Sequence, residues 1–155
     1  MALFLSTFLN KIDKKGRVSV PATFRSALSN QHFQGIVLYP SLKHPSIEGS
    51  GMDRFEKIAD GIDDLNPFSE VHDDFTKAIF GQAYQLQFDR DGRIIIPDSL
   101  LLHANIKEQM VFVGQGRTFQ IWEPLKLKEL EIDVLKRVRD KHTSLKIKIS
   151  DFKDE

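Results

Sequence analysis

The pattern Asp-x-x-Gly-Arg-x-x-x-Pro occurs twice in this chain of 155 residues, 76 positions apart. Asp13, Gly16, Arg17 and Pro21 return as Asp89, Gly92, Arg93 and Pro97, inside the longer stretches FLNKIDKKGRVSVPATFR and YQLQFDRDGRIIIPDSLL. The positions between them also answer one another: Ile12 by Phe88, Val18-Ser19-Val20 by Ile94-Ile95-Ile96, and Phe24 by Leu100. A chain that repeats itself at this distance folds as two related units, so the repeat limits the architecture before any single motif is weighed.

Each copy has a local physical reading. An Asp opening the turn accepts hydrogen bonds from the backbone amides that follow it. Gly16 and Gly92 stand where a tight turn needs a positive φ, so each copy reads as strand, turn, strand. The β-branched residues after the Arg suit the second strand, and the Pro suits the first turn of a short helix. Helices are predicted over 22–28 and 98–104.

With 41% hydrophobic residues the chain can bury one sizeable core or two small interlocked ones. It contains no run of about 18 apolar residues that would span a bilayer. MALFLSTFLNK is too short for a secretory signal and lacks its basic start, so the expected location is the cytoplasm, with no membrane partner. Cysteine is absent, which excludes disulfides and thiolate metal sites. Formal net charge is zero, but it is unevenly spread. Residues 8–25 carry Lys11, Lys14, Lys15, Arg17 and Arg25 against Asp13 alone, whereas residues 48–76 carry Arg54 and Lys57 against nine carboxylates. A basic hairpin beside an acidic insert points to one surface facing a polyanion and another facing away; two ordinary solvated faces are the bland alternative.

Further along, residues 35–40 read as a buried strand ended by proline, residues 41–51 as a loop, and 52–65 and a stretch from Ser69 as two helices, Ser69 serving as N-cap. Strands are predicted at 110–114 and 118–122 around a turn at Gln115-Gly116-Arg117. The last helix is predicted over 124–141 with Leu127, Leu130, Val134, Leu135 and Val138 on one face. Phe55-Glu56-Lys57-Ile58 and Trp122-Glu123-Pro124-Leu125 look like matching aromatic-Glu helix starts. The domain reading is a first repeat at 4–50, an acidic helical segment at 51–80 completing it, a second repeat at 81–123, a C-terminal helix at 124–142 and a flexible tail at 143–155.

The doubled phrase, with GRVSVPATFR, GRIIIP and VGQGRTFQIWEP, resembles the MraZ family over residues 4–140. That resemblance implies an α+β chain of two AbrB-like (SpoVT-AbrB) swapped-hairpin units, folded as a pseudo-dimer around one β-barrel with flanking helices. It also implies a bacterial, nucleoid-associated transcription factor that assembles as a ring. Such a protein binds short direct repeats in double-stranded DNA upstream of the division and cell-wall gene cluster. The chain departs from the family in beginning MALFLSTFLN without the usual Gly before the first strand, and in its loop 41–51.

The DNA-binding candidates are Arg17 and Arg93, whose guanidinium groups can donate paired hydrogen bonds to a guanine edge, and Lys11, Lys14, Lys15, Arg25 and Arg90 as phosphate contacts. Asp13, Gly16, Asp89 and Gly92 would orient them. The competing reading makes each Asp-Arg pair a turn staple in a protein-interaction or scaffold module. The five histidines are scattered, and Asp63-Asp64 and Asp73-Asp74 are neighbours that point apart on a helix, so no catalytic residue, metal ligand or cofactor is expected.

Overall fold

The computed structural model describes residues 3–140. Among the described residues, 3–124 form one compact unit and 125–140 belong to another. The expected flexible tail at 143–155 lies outside the described residues.

The two phrases build the same local structure. In the first repeat, β1 (Thr7–Lys11) turns through Asp13 to Gly16 into β2 (Arg17–Ser19), and α1 (Ala22–Ala27) follows Pro21. In the second, β5 (Tyr84–Gln87) turns into β6 (Arg93–Ile95), and α4 (Asp98–His103) follows Pro97. The prolines sit just outside each helix with φ near −51° and −56°, so the missing amide costs nothing there. The rest of the first repeat is β3 (Gly35–Pro40), β4 (Ile47–Ser50), α2 (Met52–Asp63), α3 (Glu70–Ala78) and a 3₁₀ turn at Phe80–Gln82. The second repeat continues with β7 (Gln109–Gly114) and β8 (Phe119–Trp122).

Strand pairing crosses between the repeats. One antiparallel sheet runs β1-β7-β8-β4-β3-β5, so β1 of the first repeat lies on β7 of the second and β5 of the second lies on β3 of the first. The register is equivalent on both sides: Lys11 opposes Gln109 as Gln87 opposes Gly35. A two-stranded ribbon pairs β2 with β6, with Val18 facing its own counterpart Ile94, and β4–β8 puts Glu48 opposite Gln120. These two pairs lie on the local two-fold that relates the repeats. Gln120 donates to Glu48 Oε1 at 2.8 Å and Trp122 Nε1 to Gln120 Oε1 at 2.8 Å, so the polar groups on that axis are bonded to one another.

The architecture is mixed α and β, as expected, but the expected closed barrel is not present. Strands β1 and β5 are the edges of the large sheet, and β2–β6 stands as a separate ribbon. Between β1 and β2 the carbonyl of Ser19 accepts instead from the Asn10 side chain at 2.6 Å, which replaces a backbone rung. The core fills the space between sheet and ribbon with residues from both copies, including Val18, Val20, Phe24, Ile36, Ile94, Ile96, Leu100 and Phe112. Phe24 is fully buried and touches Phe4, Phe8, Phe112 and Phe119 at ring distances of 5.1 to 6.3 Å. The unusual N-terminus joins this core: Phe4 is buried and its backbone bonds Gly116 in both directions.

Two local expectations need correcting. The predicted loop 41–51 contains β4, which its glycines concealed; Gly49 opposes Phe119, and a Cβ there would collide with the Phe119 ring. The matched helix starts are also different ones. Strands β4 and β8 end at Ser50 and Trp122, and the helices begin two residues later at Met52 and Pro124, so Phe55-Glu56 lies inside α2. The Ser69 cap is as expected, its Oγ accepting from the His72 amide at 3.1 Å. Helix α5 (Pro124–Asp140) buries Leu127, but Val134, Leu135 and Val138 of its expected apolar face are exposed.

Candidate nucleic-acid interface

Both turns are held by their first carboxylate. Asp13 Oδ1 accepts from the amides of Lys15 at 2.9 Å and Arg17 at 2.8 Å, and Asp89 Oδ1 accepts from those of Asp91 at 2.8 Å and Arg93 at 2.9 Å. Each turn closes with an amide of the Asp on the carbonyl of the Arg, at 2.8 and 2.9 Å. Gly16 and Gly92 take φ of +81° and +75°, the left-handed conformation that a side chain disfavours. Amide donation stabilises the charged carboxylate. The Arg17 amide above all, helped by its guanidinium and the Lys15 amide, holds Asp13 below its ordinary pKa of 3.8 against desolvation, which is second in size only to the Arg17 amide. The Arg93 amide, then the Asp91 amide and the Arg93 and Arg17 charges, do the same for Asp89.

The two arginines, equivalent in sequence, are not equivalent in space. Arg17 Nε donates to Asp13 Oδ2 at 2.8 Å, and its Nη2 lies 2.8 Å from the same oxygen as an ion pair. That contact uses one side of the guanidinium plane. The end edge formed by Nη1 and Nη2 makes no hydrogen bond or further ion pair within 4 Å among the described residues, although the Arg17 charge also acts on Asp89, and the side chain is 27% exposed. Arg93 meets three carboxylates: Nη2 donates to Asp91 at 2.7 Å, Nε lies 3.4 Å from Asp89 without hydrogen-bond alignment, and Nη1 lies 3.8 Å from Asp13. Arg93 thus links the second turn to the first. A groove of about 280 Å³ runs beside them, lined by Arg17, Arg93, Gln85, Gln87 and Ile95.

The remaining candidates divide by environment. Lys14 and Lys15 at the tip of the first turn, Lys11 at the end of β1 and Arg90 at the tip of the second turn are exposed, with no ion pair among the described residues. Arg25 is half-buried and pairs with no acid among the described residues; its Nε donates to the Val20 carbonyl at 3.1 Å, and its guanidinium lies over Gly92. Asn10, Asp91 and the Arg25–Gly92 contact were not singled out by the sequence. Asp91 was recognisable as an acid in the repeat, but nothing local announces a contact between residues 67 positions apart. Among the described residues no group of three or more His, Asp or Glu is placed to hold a metal ion. No described helix is long and apolar enough to cross a membrane.

This geometry defines a class: a two-repeat α+β protein in which strands of each repeat pair with strands of the other and two Asp-stapled, cation-bearing turns lie side by side. Comparison with known proteins gives the family. The model of the family described as "MraZ protein, putative antitoxin-like" matches residues 79–135. The chain is 51% identical over 144 residues to a protein of Pelagibacter ubique named transcriptional regulator MraZ, covering 93% of each chain. It is 46% identical over 147 residues to a protein of the same name from Rickettsia bellii, covering 94% of this chain and 98% of that one. A third of that name, from Rickettsia akari, is 49% identical over 124 residues, or 80% and 83% of the two chains. The chain belongs to the MraZ family.

Proposed function

We propose that this protein is a transcriptional regulator that binds double-stranded DNA through its first Asp-Lys-Lys-Gly-Arg turn. The observation that carries this reading is the Arg17 guanidinium, fixed by Asp13 on one side, open at its end edge and flanked by uncommitted Lys14 and Lys15. A pre-oriented fork of that kind is suited to guanine O6 and N7, while the lysines neutralise phosphates without reading sequence. Lys11 and Arg90 extend the cationic surface. Arg93, enclosed by Asp13, Asp89 and Asp91, contributes by keeping the second turn beside the first. The exchange of β1 and β5 between repeats supports the swapped-hairpin pseudo-dimer as the scaffold that presents these turns.

One turn touches few base pairs, so specific recognition needs repetition. Leu3, Leu5 and Leu9 are exposed on and before the edge strand β1. In this reading they join chains into a ring whose successive turns meet short direct repeats in the promoter of the division and cell-wall gene cluster, in the cytoplasm at the nucleoid. The test is binding to duplexes selected from random sequence, measured against salt. Arg17→Ala weakens selected-site binding by about 1 to 3 kcal/mol with little loss of stability. Lys14→Ala or Lys15→Ala weakens all sequences alike and lowers the salt slope by about 0.9. An Arg17→Ala protein that binds normally but melts much earlier restores the staple reading. A monomer in solution, or affinity that fails to rise from one site to two, removes the ring.

A further inference from the structure

The first repeat's turn has its own free cations, Lys14 and Lys15, but the second turn spends its arginine on carboxylates. Asp89 and Asp91 flank Arg93 at 3.4 and 2.7 Å, which leaves Arg90 as that turn's only cation without an ion pair among the described residues. The second turn would be a poor polyanion contact if it acted alone. A cation reaches it from the other repeat. Arg25, on α1, extends across the two-fold and lays its guanidinium on the bare Cα of Gly92. A Cβ added to Gly92 would fall 2.5 Å from Arg25 Nε and Cζ and 2.6 Å from Nη1. The side chain is anchored at its near end, Nε donating to the Val20 carbonyl, while the Val20 amide donates to the Gly92 carbonyl at 3.1 Å. Helix α1, ribbon strand β2 and the second turn are thereby tied at one point. Its Nη1 and Nη2 groups have no carboxylate within 4 Å among the described residues, so a half-buried planar fork remains without an ion pair. The contact has no mirror image. The position matching Arg25 in the second repeat is Leu101, and a Cβ on Gly16 would meet nothing within 4 Å.

We propose that Arg25 is the phosphate-binding side chain of the second turn, held over Gly92 as a composite anion site built from both repeats, so that each chain offers DNA two unlike contacts. The ligand class is a phosphodiester oxygen, bound by a guanidinium whose position is fixed before the DNA arrives. Gly92 then serves two needs, the positive φ of the turn and the space for the guanidinium, whereas Gly16 serves only the first. The proposal rests on the DNA-binding reading above, and the experiment separates the two.

The salt dependence of duplex affinity is measured for the full chain and for Arg25→Gln, Gly92→Ala, the double variant and Gly116→Ala, with melting temperatures for each. Arg25→Gln lowers the salt slope by about 0.9, as expected when one phosphate is no longer neutralised. Gly92→Ala, which displaces the guanidinium, gives the same drop, and the double variant adds nothing to it. Gly116→Ala, at a positive-φ glycine in the turn between β7 and β8 with nothing within 4 Å of an added Cβ, suffers the same backbone strain but keeps the wild-type slope. An unchanged slope in Arg25→Gln, or additive drops in the double variant, overturns the composite site. Arg25→Gln sits at a half-buried surface position and remains informative if the glycine variants do not fold. If the unaltered protein shows no salt-dependent duplex binding, the broader reading fails first. If it binds, and Lys14→Ala lowers the slope while Arg25→Gln does not, the composite site alone is refuted.

Discussion

Asp13 does more than any other single residue at the candidate interface. One carboxylate oxygen closes the turn through two amides, and the other holds Arg17 by two nitrogens and faces Arg93 of the second turn. Its folded pKa is depressed below the ordinary 3.8, so its contribution to stability is present above that value and is lost as pH falls through the folded pKa. Melting temperatures of wild type and Asp13→Asn, compared from neutral pH down into this acid range, therefore differ most near neutrality and converge as the carboxylate protonates. A difference that grows on acidification sinks this account of the turn. The pairing of Asp with Arg was legible in the spacing of the repeat, because the acceptor and its amides are local. The division of labour between Arg17 and Arg93 was not, because it depends on Asp13 reaching across the two-fold.

Among the elements, helices were the most legible and strand partners the least. Helix α3 begins where Ser69 supplies an acceptor, and carries Glu70 and Asp73 in its first turn, where negative charge favours the positive end of the helix dipole. Asp73 also pairs with Lys77 at 2.7 Å, one turn along an exposed face. Ser69→Ala is expected to cost about 1 kcal/mol in chemical denaturation, since the His72 amide loses its acceptor; an unchanged midpoint would show that water replaces the cap freely. Strand β4 was hidden for the opposite reason. Gly49 and Gly51 read as loop residues by composition, but Gly49 is there to admit the Phe119 ring from the neighbouring strand. A glycine selected by a cross-strand aromatic cannot be told locally from one selected by a turn.

At the scale of the whole molecule, the repeats cannot be separated without leaving strands unpaired. Removing the second half strips β1 of β7, β3 of β5, β2 of β6 and β4 of β8, and it opens the core around Phe24. Residues 1–80 and 81–155 expressed apart should each fail to give a sharp unfolding transition by circular dichroism, while the intact unit unfolds cooperatively. Two independent transitions would disprove the shared core. Phe24→Ala should cost about 3–5 kcal/mol, the range for an aromatic removed from a packed core. By itself the sequence determined the repeat, both Asp-Gly turns, the proline-led helices and the Ser69 cap, because each depends on residues within a few positions of one another. Only the tertiary structure decided that β1 and β5 would each pair with a strand of the other repeat, that the ribbon would stay apart from the sheet, and that Arg25 would cover Gly92. Backbone ladders look alike from any strand, so partners are chosen by which arrangement buries both repeats' apolar faces in one core, and that choice is made between residues far apart in the chain.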